Sequence, residues 1–201
     1  MLTADRNKIQ SDKFILGILI SEQDYHCTND FSCGDADLDE FFQKDAYNHT
    51  KELLAQTYYF QPKGSDNTGN IIPIALISFL NDSILVRKSE RDSIKKIIAE
   101  YLELILPDPK SNYSSFPAVK IGRLGIRKEF QRYGVGTALL NMVKEFFLTN
   151  NRTGCRFITV DAYNTEQAIN FYKKNDFDFL IDKDKGTRTR IMYFDLMRYR
   201  L

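Results

Sequence analysis

Leu124-Gly125-Ile126-Arg127-Lys128-Glu129-Phe130-Gln131-Arg132-Tyr133-Gly134-Val135-Gly136-Thr137 runs from an apolar alternation through a charged turn into a glycine pair. An amphipathic stretch follows, with Val135, Leu139, Met142, Val143 and Phe146 at helical spacing, so the segment reads strand, turn, glycine-opened helix over about 134–149. Glycines at the mouth of a helix let the backbone approach an anion closely, and the first helical N–H groups have no partner within the helix. The flanking Arg127, Lys128 and Arg132 add positive charge. No Gly-Lys-Ser/Thr follows, which excludes a Walker loop, and the spacing is not the Gly-x-Gly-x-x-Gly of a dinucleotide fold. A strand-Gly-x-Gly-helix is equally the signature of a tight turn that needs glycine for its geometry.

Outward from this stretch, strand and helix signals alternate, which predicts an α/β (α+β) sheet protein rather than a bundle or sandwich. Phe14 to Ile20 reads as the first strand, and 27–34 as a loop. Asp37-Leu38-Asp39-Glu40 reads as a capping box opening a helix over about 36–54. Thr57–Phe60 and Ile71–Leu80 read as a hairpin joined by a polar turn at 64–70, with Pro73 at a strand start or edge. Ser89 is the expected N-cap of a helix carrying Ile94, Ile97, Ile98, Tyr101, Leu102 and Ile105, stopped by Pro107 and Pro109. A polar loop at 108–117 leads into the strand Ala118–Ile126. A strand over 156–162, a short helix over 165–174 and closing strands near 177–181 and 189–196 complete the pattern: about 6–7 strands and about four helices in a single domain, 1–201.

Composition supports a folded chain: of 201 residues, 43% are hydrophobic and 27% charged, outside the disordered or collagenous range. The run Phe14–Ile20 is far short of the ~20 residues of a membrane span. Three cysteines, Cys27, Cys33 and Cys155, are sparse and odd in number, which points to a reducing compartment and so to the cytoplasm. His26 and His49 lack a second ligand at metal spacing, and no metal is expected. Net charge is only +1, yet Lys120, Arg123, Arg127, Lys128, Arg132, Lys144, Arg152 and Arg156 face only Glu129 and Glu145 within 120–156. That patch suits an anionic cofactor or substrate, or is a solvated face.

Gln131-x-x-Gly134-x-Gly136 after a strand ending Arg-Leu-Gly-Ile resembles the acetyl-CoA signature of the GNAT N-acetyltransferases. Ala168-Ile-Asn-Phe171-Tyr172-Lys-Lys-Asn-Asp-Phe177, after the strand Ile158–Ala162, resembles the family's second signature, and the resemblance spans about 60–196. It implies a mixed, twisted sheet with two strands splayed apart and pantetheine hydrogen-bonded to the backbone of Leu124, Gly125 and Ile126. It implies a diphosphate at the amides of Arg132, Tyr133, Gly134, Val135, Gly136 and Thr137 beside Gln131, and Tyr172 as the general acid that protonates the departing thiolate. Asn164 is the candidate for a family asparagine that touches CoA, although it lies four residues before Ala168 rather than three; read alone, it is an N-cap. The family glycine before Phe177 is Asp176 here. Asp161 and Glu166 lie near enough to serve as a base but read as surface or capping groups.

Phe31-Ser-Cys33-Gly34-Asp-Ala-Asp-Leu38-Asp39, followed by Thr57-Tyr58, resembles the opening of the subgroup that includes tRNA-acetylating toxins of type II toxin–antitoxin modules, as does Phe116-Pro-Ala-Val-Lys-Ile-Gly-Arg-Leu124. The resemblance implies an aminoacyl-tRNA acceptor and a small antitoxin partner, and is compatible with a homodimer. A small-molecule or protein amine as acceptor, and a non-catalytic CoA-binding or interaction domain, are the alternatives. Cys33 reads as a small buried residue in a turn.

Overall fold

In this computed structural model the described residues are 3–5, 8–65, 70–85, 115–149, 151 and 154–199. They form two compact units, one comprising 1–81 and 121–153, the other 82–120 and 154–201. The expected Ser89-capped helix and most of the 108–117 loop lie outside the described residues. The α/β class expected from the alternation is the class observed.

The first unit lays its strands side by side in the order β1 (Thr3–Asp5), β2 (Lys8–Gln10), β3 (Phe14–Ile18), β4 (Gln56–Pro62), β5 (Ala75–Leu85) and β6 (Ser115–Ile126), with β5 and β6 continuing into the second unit. β1 and β2 extend the sheet beyond the strands read from sequence. β3, β4 and β5 pair antiparallel, Leu16 opposite Phe60 and Tyr58 opposite Ile77, which confirms the hairpin. Between β3 and β4, α1 (Glu22–Tyr25) is closed by a capping box of Ser21 and Asp24. Next come α2 (Ala36–Glu40), a π turn over Phe41–Asp45 and α3 (Ala46–Lys51).

That last stretch corrects two expectations. Its N-cap is Asp35, whose carboxylate accepts from the amides of Asp37 and Leu38, so the 37–40 capping box does not form. The helix is also not continuous to 54. The wider π turn lets the consecutive Phe41 and Phe42 both reach the core, and the chain leaves the helix through Leu53 at φ 58°. The core beneath holds Leu19, Tyr25, Phe31, Phe42, Ala46 and Leu76. α4 (Val135–Thr149) packs phenylalanines on the strands, Phe146 edge-on to Tyr58 and Phe147 edge-on to Phe79.

In the second unit, β7 (Phe157–Tyr163) and β9 (Thr189–Asp195) pair antiparallel over their full length, and the short β8 (Asp178–Phe179) flanks β9. The helix α5 (Glu166–Lys174) follows β7. An aromatic file of Phe171, Tyr172, Phe177, Phe194 and Tyr199 runs on at centroid spacings of 5.0, 5.4, 5.7 and 5.5 Å. Arg190 is buried with Asp184, Nε to Oδ1 2.6 Å, and its guanidinium lies 3.9 Å from the centre of the Phe179 ring.

Candidate functional site

The glycine-opened turn of the first unit is built by strapping two loops together. After β6, Arg127 donates its amide to the Ile74 carbonyl and its guanidinium to the Pro73 and Asp30 carbonyls and the Asp30 carboxylate. It is therefore a staple inside the unit and adds no free charge to the turn. Gln131 spends its side-chain amide on the carbonyls of Cys33 (2.7 Å) and Ile126 (2.9 Å). Lys128 N–H reaches the Ser32 carbonyl. The Phe31–Asp39 segment is the other half of the strap. Phe31 is fully buried, and Gly34 turns at φ 85°. The Asp39 carboxylate receives the Cys33 amide (2.6 Å) and the Ser32 hydroxyl (2.7 Å). Burial raises the Asp39 pKa, but these hydrogen bonds outweigh it and hold the carboxyl below its ordinary value.

From this base the chain turns through Arg132 at φ 65° and Gly134 at φ 79° into α4. A Cβ on Gly134 would meet nothing within 4 Å, so glycine is needed there for its backbone conformation, and the space beside it is open. The first helical hydrogen bond runs from Ala138 N–H to the Gly134 carbonyl. The amides of Val135, Gly136 and Thr137 therefore have no acceptor within the helix and stand at its positive end. Val135 and Gly136 are buried and Thr137 half-buried, while Arg132 and Tyr133 project into solvent. Leu124, Gly125 and Ile126 end β6. Gly125 is a packing glycine, since a Cβ would lie 3.0 Å from the Phe31 ring and 3.1 Å from that of Phe42.

The basic stretch 120–156 is largely neutralised by acids from elsewhere in the chain. Lys120 pairs with Asp161, Arg123 approaches Asp37 at 4.0 Å, Arg127 pairs with Asp30, and Arg156 pairs with the buried Asp195. Lys144 is buried in α4. Of this stretch, Lys128 and Arg132 are exposed and have no ion-pair partner among the described residues, and both flank the glycine turn. Among the described residues of this stretch, the remaining attraction for an anion is therefore concentrated at the helix opening.

Tyr172 belongs to the second unit. It lies on α5 with 8% exposure, packed edge-on to Phe171 and Phe177, and no hydrogen bond of its hydroxyl is found among the described residues. Burial pushes its phenol well above the ordinary value, so it keeps its proton throughout the neutral range. α5 ends in a Schellman turn, with Phe177 N–H donating to the Tyr172 carbonyl and Asp176 N–H to that of Lys173. Asp176 takes φ 65°, so the aspartate keeps the left-handed conformation that a glycine would adopt without strain. Asn164 is not the N-cap of α5; Thr165 is, accepting from Ala168 N–H. Asn164 donates its side-chain amide to the carbonyls of Lys185 and Thr187 and so ties down the loop before β9. Arg190, on β9, is consumed by Asp184.

Burial pushes Cys27 and Cys33 up to about 12 and Cys155 up to about 11. The sequence reading missed the Asp39 latch, although Cys33 and Gly34 stood six and five residues before an aspartate that caps nothing else. It also ended β5 at Leu80, because Asn81-Asp82-Ser83 has turn composition, and so missed the strand position of Asp82.

The fold is GNAT-like. Residues 84–178 match the family model described as Acetyltransferase (GNAT) domain. N-alpha-acetyltransferase 60 of Danio rerio is 38% identical over 69 residues, 32% of this chain and 28% of that protein, so the match spans less than a third of the relative's length. Among solved structures, AtaTR bound with AcCoA superposes with a TM-score of 0.64 at 18% identity, covering 94% of this chain and 98% of that one. AtaT complexed with acetyl-methionyl-tRNAfMet gives 0.64 at 19% identity, covering 93% and 97%. A tyrosine-to-phenylalanine mutant of KacT gives 0.65 at 17%, covering 94% and 98%. At these identities the likeness establishes the fold.

Proposed function

We propose that the protein is an N-acetyltransferase that moves the acetyl group of acetyl-CoA to a primary amine, with both units serving one acetyltransferase domain. The observation that carries this reading is the glycine turn: three helix-opening amides, an open face at Gly134 and the exposed, unpaired Lys128 and Arg132 at one helix mouth. Such a cradle suits a diphosphate. Gln131 and Asp39 hold its shape, and the β6 backbone from Leu124 to Ile126 lies immediately before it as the place for pantetheine. Asn164 acts on the loop before β9 through its two carbonyl bonds. Tyr172 is the general acid, because a buried phenol that keeps its proton can give it to a departing thiolate.

For the acceptor we favour the amine of an aminoacyl-tRNA, with a small antitoxin protein as partner. Support comes from the likeness to AtaT over most of the chain and from the role of the Phe31–Asp39 segment, whose signature residues shape the cradle. The match to an N-alpha-acetyltransferase favours a protein N-terminus as a second reading. Among the described residues no helix is long and apolar enough to cross a membrane, and all three cysteines are free. Both fit action in the cytoplasm. Incubation with labelled acetyl-CoA, total RNA and total protein tests the proposal. Label in deacylatable tRNA with release of CoA thiol supports the first reading, label in protein supports the second, and the absence of free thiol with every acceptor reduces the protein to a CoA-binding module.

A further inference from the structure

At Leu53 the chain carries two costs that the fold does not use. α3 closes with Glu52 N–H on the Asn48 carbonyl, Leu53 N–H on that of Thr50, and Leu54 and Ala55 N–H both on that of His49. In this turn Leu53 takes φ 58°, the left-handed position that glycine or asparagine adopts with less strain. Burial could keep a leucine there, yet Leu53 is 92% exposed. Strained backbone and exposed apolar surface thus meet on one residue, and such coincidences belong to surfaces kept for a partner.

Two more large apolar residues stand beside it, Leu54 at 62% exposure and Ile20 at 54%. The antiparallel register that sets Ile18 against Tyr58 continues in the bond from Leu19 N–H to the Thr57 carbonyl. Ile20 therefore comes level with Gln56, two residues from Leu54. Single apolar residues on a surface are ordinary; three on one corner of the first unit are not. Their surround is acidic. The Asp24 carboxylate accepts from the amides of Ile20 (2.9 Å) and Ser21 (2.8 Å), Glu22 stands in the first turn of α1, and Glu52 directly precedes Leu53, with Lys51 as the neighbouring cation.

That charge selects the kind of occupant. An anionic membrane or an RNA backbone is repelled, and a second copy seated face to face would set like carboxylates against each other. The backbone selects its form. The amides of residues 52–55 and of Ile20 are all bonded within the chain, so an added strand finds no donors here and recognition falls to side chains. We infer that Ile20, Leu53 and Leu54 form the docking surface for an amphipathic helix of a partner protein, whose apolar face covers these three side chains and whose flanking lysines or arginines meet Glu22, Asp24 and Glu52. The surface lies outside the glycine turn, and its role does not depend on the acetyl acceptor.

The test uses the full chain and a synthetic helical peptide with leucines at i, i+3, i+4 and i+7 and lysines at its other positions, followed by fluorescence anisotropy at low and physiological salt. The same peptide with glutamates for lysines is the control and should bind at least about 10-fold more weakly. Leu53→Gly and Leu54→Ser should each weaken binding of the basic peptide about 10-fold, and Glu52→Gln should weaken it and flatten its salt dependence. Acetyl-CoA affinity should be unchanged in all three. Leu53→Gly should also raise the melting temperature, because glycine relieves the strain at φ 58°. A basic peptide that fails to bind the wild type, or binds Leu53→Gly and Leu54→Ser equally well, overturns the inference. A dimer in sedimentation that Leu53→Gly dissociates gives the surface to a second copy instead and overturns it too. A lowered melting temperature in Leu53→Gly would make the leucine part of the fold; Leu54→Ser then decides, and full peptide affinity in that variant overturns the docking surface.

Discussion

Two residues show how a site can keep its geometry while its chemistry departs from expectation. Asp176 stands where GNAT sequences carry glycine, and the Schellman turn nevertheless forms around it at φ 65°. Left-handed backbone costs an L-residue about 1–2 kcal/mol, less for aspartate, whose short polar side chain suits it. Asp176→Gly should therefore raise stability by up to about 1 kcal/mol in chemical denaturation, with acetyl transfer unchanged; a loss of stability would mean that the aspartate side chain contributes more than its strain costs. Tyr172, directly upstream in the same turn, has its carbonyl bound by Phe177 N–H, so the turn fixes the end of the helix that carries the phenol. Tyr172→Phe removes only the hydroxyl. It should leave acetyl-CoA affinity and melting temperature within error and reduce turnover by about 10²- to 10⁴-fold. Equal loss of affinity and rate in calorimetry and single-turnover kinetics would show that the hydroxyl supports the fold rather than the chemistry.

At the scale of elements, the cradle depends on a strand end, a helix opening and a distant loop held together by side-chain amide and carboxylate bonds. Gly134→Ala should lower stability by about 1 kcal/mol, the cost of its left-handed backbone, and leave acetyl-CoA affinity nearly unchanged because the space beside it is open. Gly134→Asp places a carboxylate where the anion must lie and should abolish measurable binding by calorimetry. Asp39→Asn tests the other half of the strap. A carboxyl held below its ordinary value stabilises the fold above that value, 3.8, and loses the contribution as pH falls through its folded-state pKa. The wild-type and Asp39→Asn stabilities should therefore differ most at neutral pH and converge in acid; a constant difference down to pH 3 would remove charge from the account. The glycine turn and both signature helices were legible because periodicity and glycine spacing are local properties. The strap was not, since nothing in Gln131 says that its amide will spend itself on Cys33, and the π turn at Phe41 was hidden in an unbroken helical pattern.

For the molecule as a whole, the decisive quantity is how much of the charge asymmetry survives folding. The basic stretch 120–156 is unbalanced in sequence, but Asp30, Asp37, Asp161 and Asp195 come to meet its members from other parts of the chain, and pairing across such separations cannot be read from local composition. Arg190 follows the same course with Asp184. Lys128 and Arg132 remain at the cradle, where a bound diphosphate would engage them, and Arg188 stays exposed over the Tyr163 ring. Of these cations, Arg188 is then the described one left to meet a phosphate of an aminoacyl-tRNA. Each contact with single-stranded phosphate contributes about −0.7 to the slope of log affinity against log salt, and with duplex about −0.9. With acetyl-CoA saturating and its diphosphate occupying Lys128 and Arg132, the slope for tRNA should stay shallower than about −3, and Arg188→Ala should reduce it by roughly one contact. Filter binding from low to physiological salt measures both. A steep slope that Arg188→Ala leaves untouched would place the RNA-binding charge on residues outside those described and would separate tRNA affinity from the surface that carries Arg188.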